Sequence, residues 1–187
     1  MRHRFIDLLE QSPVIPAVKA EAALPCALAC ESQVLFLLGG DLLTIRRWIS
    51  MVHEAGKLAV VHIDLVGGLA PREVAVDWLQ QQGADGIIST RPHLIRRGRE
   101  LGMLTVLRVF AIDSKAVSNL GKETGMGMPD LIEVLPGTIY KVIARLSREL
   151  PVPLIAGGLL ADKADVTAAL SAGALCVSAS DPQLWDL

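Results

Sequence analysis

The fold class predicted by the sequence is α/β: a compact, single-domain (β/α)8 barrel of the TIM type, with helix eight short or missing. Three observations lead there. Eight short apolar runs alternate with seven stretches of helical character, the pattern of a parallel sheet, and a count of eight argues for closure. The apolar runs are mostly continuous, as expected of strands buried on both faces. Two late strands end in small residues, Gly157-Gly158 and Ser178-Ala179-Ser180, where such barrels commonly hold a phosphate. An open doubly wound sheet is the alternative. The chain has 187 residues, taken as one domain over 1–187. That is short against the ~250 residues of a typical barrel, so its loops must be compact.

In chain order, residues 1–12 form a helical lead-in and 14–19 the first strand, which tolerates Pro16 only where no N–H is needed. A short helix over 22–30 is interrupted by Pro25, and 34–39 is strand two. Asp41 caps a helix running to about Ala55, with Leu42, Ile45, Ile49 and Val52 on one stripe and Gly56 at its end. Strand three covers 58–65, and a glycine loop leads to a helix over 71–82 with Pro71 at its start. Strand four is 85–90, followed by a helix over 92–101. Strand five is 104–110, followed by a helix over 113–120 and a Gly/Met-rich loop over 121–128. Strand six with its turn is 131–137, helix six 139–150, strand seven begins at Leu154, helix seven is 163–172 and strand eight 174–180. Only 181–187 remain for an eighth helix.

Composition narrows the function classes. About half the residues are hydrophobic, yet no apolar run reaches the ~18 residues of a membrane span. The first residues lack a signal-peptide core, so no membrane partner and a cytoplasmic location are expected. Net charge is −2, so contact with nucleic acid would need a local basic patch. Cys26, Cys30 and Cys176 have no Cys/His cluster beside them, so buried reduced thiols are expected and no metal site. The oligomeric state is open, a homo-oligomer included.

Functional groups in barrels collect at strand ends. Those positions hold Lys19, His62, Asp64, Ser89, Thr90, Arg108, Asp113, Glu133, Gly157, Ser178 and Ser180. Gly157 and Gly158 let the backbone approach an anion, and Ser178 and Ser180 add hydroxyls beside further amides and a helix start. Lys19 and Arg108 bring positive charge, while Asp64 and Glu133 accept hydrogen bonds from hydroxyls. Together they suit a small polyol phosphate, although the same charges would also satisfy one another as a polar layer. Taken as acid and base, they would serve a phosphate-ester isomerase or lyase, with Asp64 or Glu133 as base and Lys19 as electrostatic partner or amine. Arg91, His93, Arg96, Arg97 and Arg99 form a basic stretch on the helix after strand four. The two readings of that stretch are a solvated helix face and a nucleic-acid contact.

Six ordered motifs carry a family resemblance. They are His62-Ile63-Asp64-Leu65-Val66-Gly67-Gly68-Leu69; Asp85-Gly86-Ile87-Ile88-Ser89-Thr90-Arg91; Arg108-Val109-Phe110-Ala111-Ile112-Asp113-Ser114; the run Pro129-Asp130 through Leu135-Pro136-Gly137; Ala156-Gly157-Gly158-Leu159; and Val177-Ser178-Ala179-Ser180 with Leu184-Trp185. This order, from Ile15 to Trp185, resembles the glycerol-3-phosphate-responsive antiterminator family. Ala179 stands where that family leads one to expect Thr between the serines. The resemblance implies a cytoplasmic regulator that senses glycerol 3-phosphate and acts on leader mRNA to let transcription pass a terminator. Gly157, Gly158, Ser178 and Ser180 would then hold the phosphate, and Lys19, Asp64, Arg108 and Glu133 would surround the glycerol. Arg91, Arg96, Arg97 and Arg99 would face RNA. No catalytic residue and no cofactor beyond the ligand is implied.

Overall fold

In a computed structural model the described residues are 2–111 and 128–187. The helix expected over 113–120, Asp113 with it, and all but Met128 of the loop expected over 121–128 lie outside them. Eight parallel strands close in sequence order: β1 (Val14–Val18), β2 (Val34–Leu37), β3 (Leu58–His62), β4 (Gly86–Ser89), β5 (Leu104–Phe110), β6 (Leu131–Leu135), β7 (Leu154–Gly157) and β8 (Cys176–Ala179). Helix α1 (Arg2–Gln11) precedes the barrel. Helices α2 (Leu24–Ala29), α3 (Ile45–Glu54), α4 (Glu73–Gln81) and α5 (Pro92–Glu100) follow β1 to β4, and α6 (Tyr140–Glu149) and α7 (Lys163–Ser171) follow β6 and β7.

Period-two alternation divides the apolar residues into two cores. One lies between sheet and helices and includes Leu35, Val61, Ile87, Val134 and Val177 with Trp48, Leu79 and Ile143. The other fills the barrel with Ile15, Val34, Phe36, Val60, Ile88, Val106, Leu131, Ile155 and Cys176. Phe5 and Leu9 of α1 belong to this inner core, so the lead-in helix plugs the end of the barrel where the strands begin.

The strand register sets the heights of the inward residues. Followed round the barrel from Ala17 opposite Phe36 to Val177 opposite Val14, the ladders return eight residues displaced, one per strand. Inward side chains therefore stack in layers of four, drawn alternately from even and odd strands. From the α1 end, the layers are Val34, Gly86, Leu131 and Cys176; then Ile15, Val60, Val106 and Ile155; then Phe36, Ile88, Glu133 and Ser178; then Ala17, His62, Arg108 and Gly157. Polarity enters only in the upper two layers, the height at which barrel ligands bind.

Several boundaries differ from the sequence expectation, each for a local reason. Asp41 caps a turn ahead of α3: its Oδ1 accepts from Leu43 N–H, Thr44 N–H and the Thr44 hydroxyl at 2.8–2.9 Å. Helix α3 starts only at Ile45, which leaves Leu42 41% exposed instead of on the buried stripe. Strand β3 ends at His62, and Ile63–Leu65 turn into a 3-10 helix. Cys26 is exposed, against the expectation of a buried thiol, whereas Cys30 and Cys176 are buried. The eighth helix is reduced to a 3-10 turn, Pro182–Leu184, pinned by buried Trp185, whose Nε1 donates to Ala179 O at 2.8 Å.

Candidate functional site

A cavity of about 200 Å³ opens at the C-terminal ends of the strands, lined by Lys19, Arg108, Glu133, Ser178, Ser180 and the Gly158–Leu160 loop among others. The layer stacking explains its position. In the layer of Ala17, His62, Arg108 and Gly157, Ala17 and Arg108 line the cavity, and the small Ala17 side chain leaves it room. Its floor is the layer beneath, where Glu133 and Ser178 meet.

Glu133 has no exposed side-chain surface, a costly place for a carboxylate without partners. Its Oε2 accepts from Arg108 Nε at 2.6 Å and its Oε1 from the Ser178 hydroxyl at 2.6 Å. Arg108 is itself 9% exposed, so this is a buried ion pair on adjacent strands, in register through Arg108 opposite Glu133. Beneath it, burial and then the Glu133 charge push the Cys176 thiol far above the ordinary range, leaving it a protonated packing group.

At the rim, Lys19 Nζ donates to Ser180 Oγ at 3.0 Å. The chain leaves β7 through two consecutive residues of positive φ, Gly158 (+74°) and Leu159 (+59°). Glycine takes that conformation freely, but leucine does so at a steric cost. Among the described residues, the N–H groups of Leu159 and Leu160 donate to no protein acceptor. The helix starts nearby are already capped: Asp162 accepts from Asp165 N–H at 2.9 Å and Asp181 from Gln183 N–H at 3.0 Å. An anion here would meet Lys19, Ser180 and loop amides, without the helix N-terminus the sequence suggested.

Among the residues singled out for this site, Lys19, Arg108, Glu133, Gly158, Ser178 and Ser180 converge on the cavity, with Gly157 between floor and rim. Asp64 does not line it. Its carboxylate accepts from Thr90 N–H at 2.8 Å, the Ser89 hydroxyl at 3.0 Å, the Thr90 hydroxyl at 3.1 Å and Arg91 Nε at 3.3 Å. Burial works to raise its pKa, but the Thr90 N–H, the Ser89 hydroxyl and the other partners outweigh it and hold Asp64 below its ordinary value. Ala17 and Leu159 were missed by sequence reasoning. Ala17 was readable from parity, two residues before Lys19, while the left-handed leucine had no sequence signal.

His62 shares the cavity's layer and is 2% exposed. Burial first, then the Arg108 charge, lower its pKa from 6.5 to about 4, with Asp64 pulling the other way. An unfolded histidine takes up a proton near pH 6.5 and the folded one only near pH 4, so this residue lowers stability as pH falls through that window. The expected loss from His62 is about 2 kcal/mol between about pH 7 and about pH 5. Urea denaturation at the two pH values checks it, and His62→Phe should remove that share of the loss.

The basic stretch after strand four is the start and body of α5. Arg97 binds Asp77 on α4 and Glu100, which together raise its pKa, and Arg96 reaches Glu73 at 3.5 Å. Arg91 contacts Asp64 at 3.3 Å, and Arg99 donates to the Met128 carbonyl. The four arginines therefore tie α5 to its surroundings, and Arg91 and Arg96 remain about half exposed.

A model of the glycerol-3-phosphate responsive antiterminator family matches residues 14–185. The chain belongs to that family. An antiterminator-family chain of known structure, the glycerol uptake operon antiterminator regulatory protein of Listeria monocytogenes, is 31% identical, with 92% of this chain and 94% of that one covered and a TM-score of 0.88. A glycerol uptake operon antiterminator-related protein from Thermotoga maritima is 30% identical over 93% of this chain and 98% of its own, with a TM-score of 0.82. The uncharacterized protein YgcP of Escherichia coli is 37% identical over 98% of this antiterminator-family chain and 96% of its own length. Barrel aldolases at 12–18% identity share the fold alone. Among the described residues, no helix is long and apolar enough to cross a membrane.

Proposed function

We propose that this chain is a cytoplasmic glycerol-3-phosphate sensor that acts on leader mRNA as an antiterminator and does not turn its ligand over. The observation that carries the reading is the cavity at the ends of β7 and β8, with Lys19, Ser180 and free loop amides at its rim and a buried Arg108–Glu133 pair in its floor. Rim and floor suit the two ends of a polyol phosphate. The runner-up, a phosphate-ester isomerase or lyase, needs a free base. Glu133 already accepts from a guanidinium and a hydroxyl, and Asp64 from four donors outside the cavity, which supports binding over catalysis.

Thermal denaturation with glycerol 3-phosphate tests the sensor. At one hundred times its dissociation constant a native-state ligand adds about 2.7 kcal/mol, and glycerol should add far less. Equal shifts from both would sink the assignment, and a new species in the phosphorus NMR spectrum would favour the enzyme. For RNA, the half-exposed Arg91 and Arg96 are the proposed contacts, with Arg97 and Arg99 holding α5 in place. Titration of leader RNA should depend on glycerol 3-phosphate. Arg96→Ala should flatten the slope of log affinity against log salt by about 0.7, the value for one single-strand phosphate contact. An unchanged slope makes α5 an ordinary solvated face.

A further inference from the structure

The hydrogen-bonding groups still unspent in the cavity are nearly all donors. In its floor, Glu133 has no exposed side-chain surface, and its oxygens already accept from Arg108 Nε and the Ser178 hydroxyl. A guanidinium carries N–H groups on every one of its nitrogens, and that pair uses the Nε one. Among the described residues, Nη1 and Nη2 of Arg108 donate to no protein acceptor. Neither is a buried atom lacking a partner, so both reach open space, and Arg108 lines the cavity. At the rim the unspent groups are the Leu159 and Leu160 amides and the ammonium of Lys19, which gives one N–H to Ser180 Oγ.

That inventory discriminates between the groups a ligand can bring to the floor. A primary hydroxyl accepts an N–H but must also place its own hydrogen, for which the floor keeps the Ser178 oxygen, already committed as a donor to Glu133. A carboxylate only accepts, and its oxygens match the parallel N–H groups along a guanidinium edge. Such charge-assisted bonds are roughly twice as strong as neutral ones. The Glu133 charge opposes a second carboxylate, but Arg108 and Lys19 outnumber it. We infer that the cavity also takes a phosphorylated hydroxy acid, with its carboxylate on the Nη edge of Arg108 and its phosphate at the Lys19–Ser180 rim, in competition with glycerol 3-phosphate. This rests on the phosphate-ester reading of the cavity.

The probe is 3-phosphoglycerate, which shares with glycerol 3-phosphate the phosphate, the chain length and the middle hydroxyl. The two differ only at the carbon that would face the floor. Calorimetric titration of the parent with each, at neutral pH, makes the comparison. 3-Phosphoglycerate should bind within about threefold of glycerol 3-phosphate or more tightly, and glycerol 3-phosphate should displace it. Weaker binding than that, or binding without displacement, overturns the inference. Arg108→Lys keeps the charge facing Glu133 but loses the planar edge, so 3-phosphoglycerate should lose about tenfold in affinity and glycerol 3-phosphate less. Equal losses overturn the placing of the carboxylate on Arg108. Should the variant not fold, nitrogen–proton NMR of the parent decides: the Arg108 Nη–H signals should move further with 3-phosphoglycerate than with glycerol 3-phosphate, and equal movement overturns the inference. A parent that binds neither ester removes the phosphate-ester reading itself and the inference with it, an outcome visible before any variant is made.

Discussion

Glu133→Ala is expected to cost about 3–5 kcal/mol of stability and to abolish glycerol 3-phosphate binding, because it leaves the Arg108 charge buried without its partner. Two charges taken out of water together are roughly balanced by their attraction and hydrogen bonds, whereas one left alone is not. The Ser178 hydroxyl loses its acceptor in the same step. The double variant Glu133→Leu with Arg108→Met separates the two effects. It removes both charges, so it should regain most of the lost stability while still failing to bind. Urea denaturation reads the first quantity and calorimetric titration the second. A Glu133→Ala protein with the parent's stability would show that Arg108 reaches water or another acceptor easily, and the pair would then be no support for the cavity floor.

Gly157→Ala is the second large effect expected, a loss of ligand affinity of roughly a hundredfold or more, about 2.7 kcal/mol or above. A Cβ built at Gly157 falls 2.6 Å from Ser178 Oγ and 2.7 Å from Glu133 Oε1, far inside contact distance. Gly157 is not among the residues of positive φ, so the obstacle is space and not backbone conformation. The neighbours cannot simply move aside, since their mutual hydrogen bond holds the floor together. Overpacking of this kind costs about 1–3 kcal/mol of stability, and it would displace Glu133 and Ser178, which line the cavity. Gly158→Ala is the contrast: its φ of +74° makes any side chain strained, by about 1 kcal/mol, but the nearest atom is Leu135 Cδ2 at 3.2 Å. Stability should fall there with a smaller change in affinity. Parental affinity in a folded Gly157→Ala protein would place the ligand elsewhere.

The parts of this site that lie on strands were legible in the sequence, and those that lie beyond strand ends were less so. Continuous apolar runs mark parallel strands, and period-two parity carries inward from Ala17 to Lys19 and from Val106 to Arg108. Glu133 and Ser178 follow from the same rule. Asp64 breaks it because β3 stops at His62 and the backbone turns, which sends the carboxylate to Ser89, Thr90 and Arg91. The arginines of α5 read as a free basic stretch because their partners are remote in sequence: Asp77 lies twenty residues before Arg97. His62 was visible as a strand-end residue, but its buried Nδ1, unpaired among the described residues, is a property of packing that no spacing reveals.

Ala17 and Gly157 stand in one layer, and their small size bears on what the end of the barrel can hold. Ala17 lines the cavity with little bulk, and Gly157 leaves room for the Ser178–Glu133 contact in its floor. A leucine at position 17 would fill much of the cavity from the barrel side, with the helices and outer surface nearly intact. In the proposed function, the size of the accepted ligand and the surface offered to RNA would sit on separate sets of residues. Either can drift, or be redesigned, without first undoing the other.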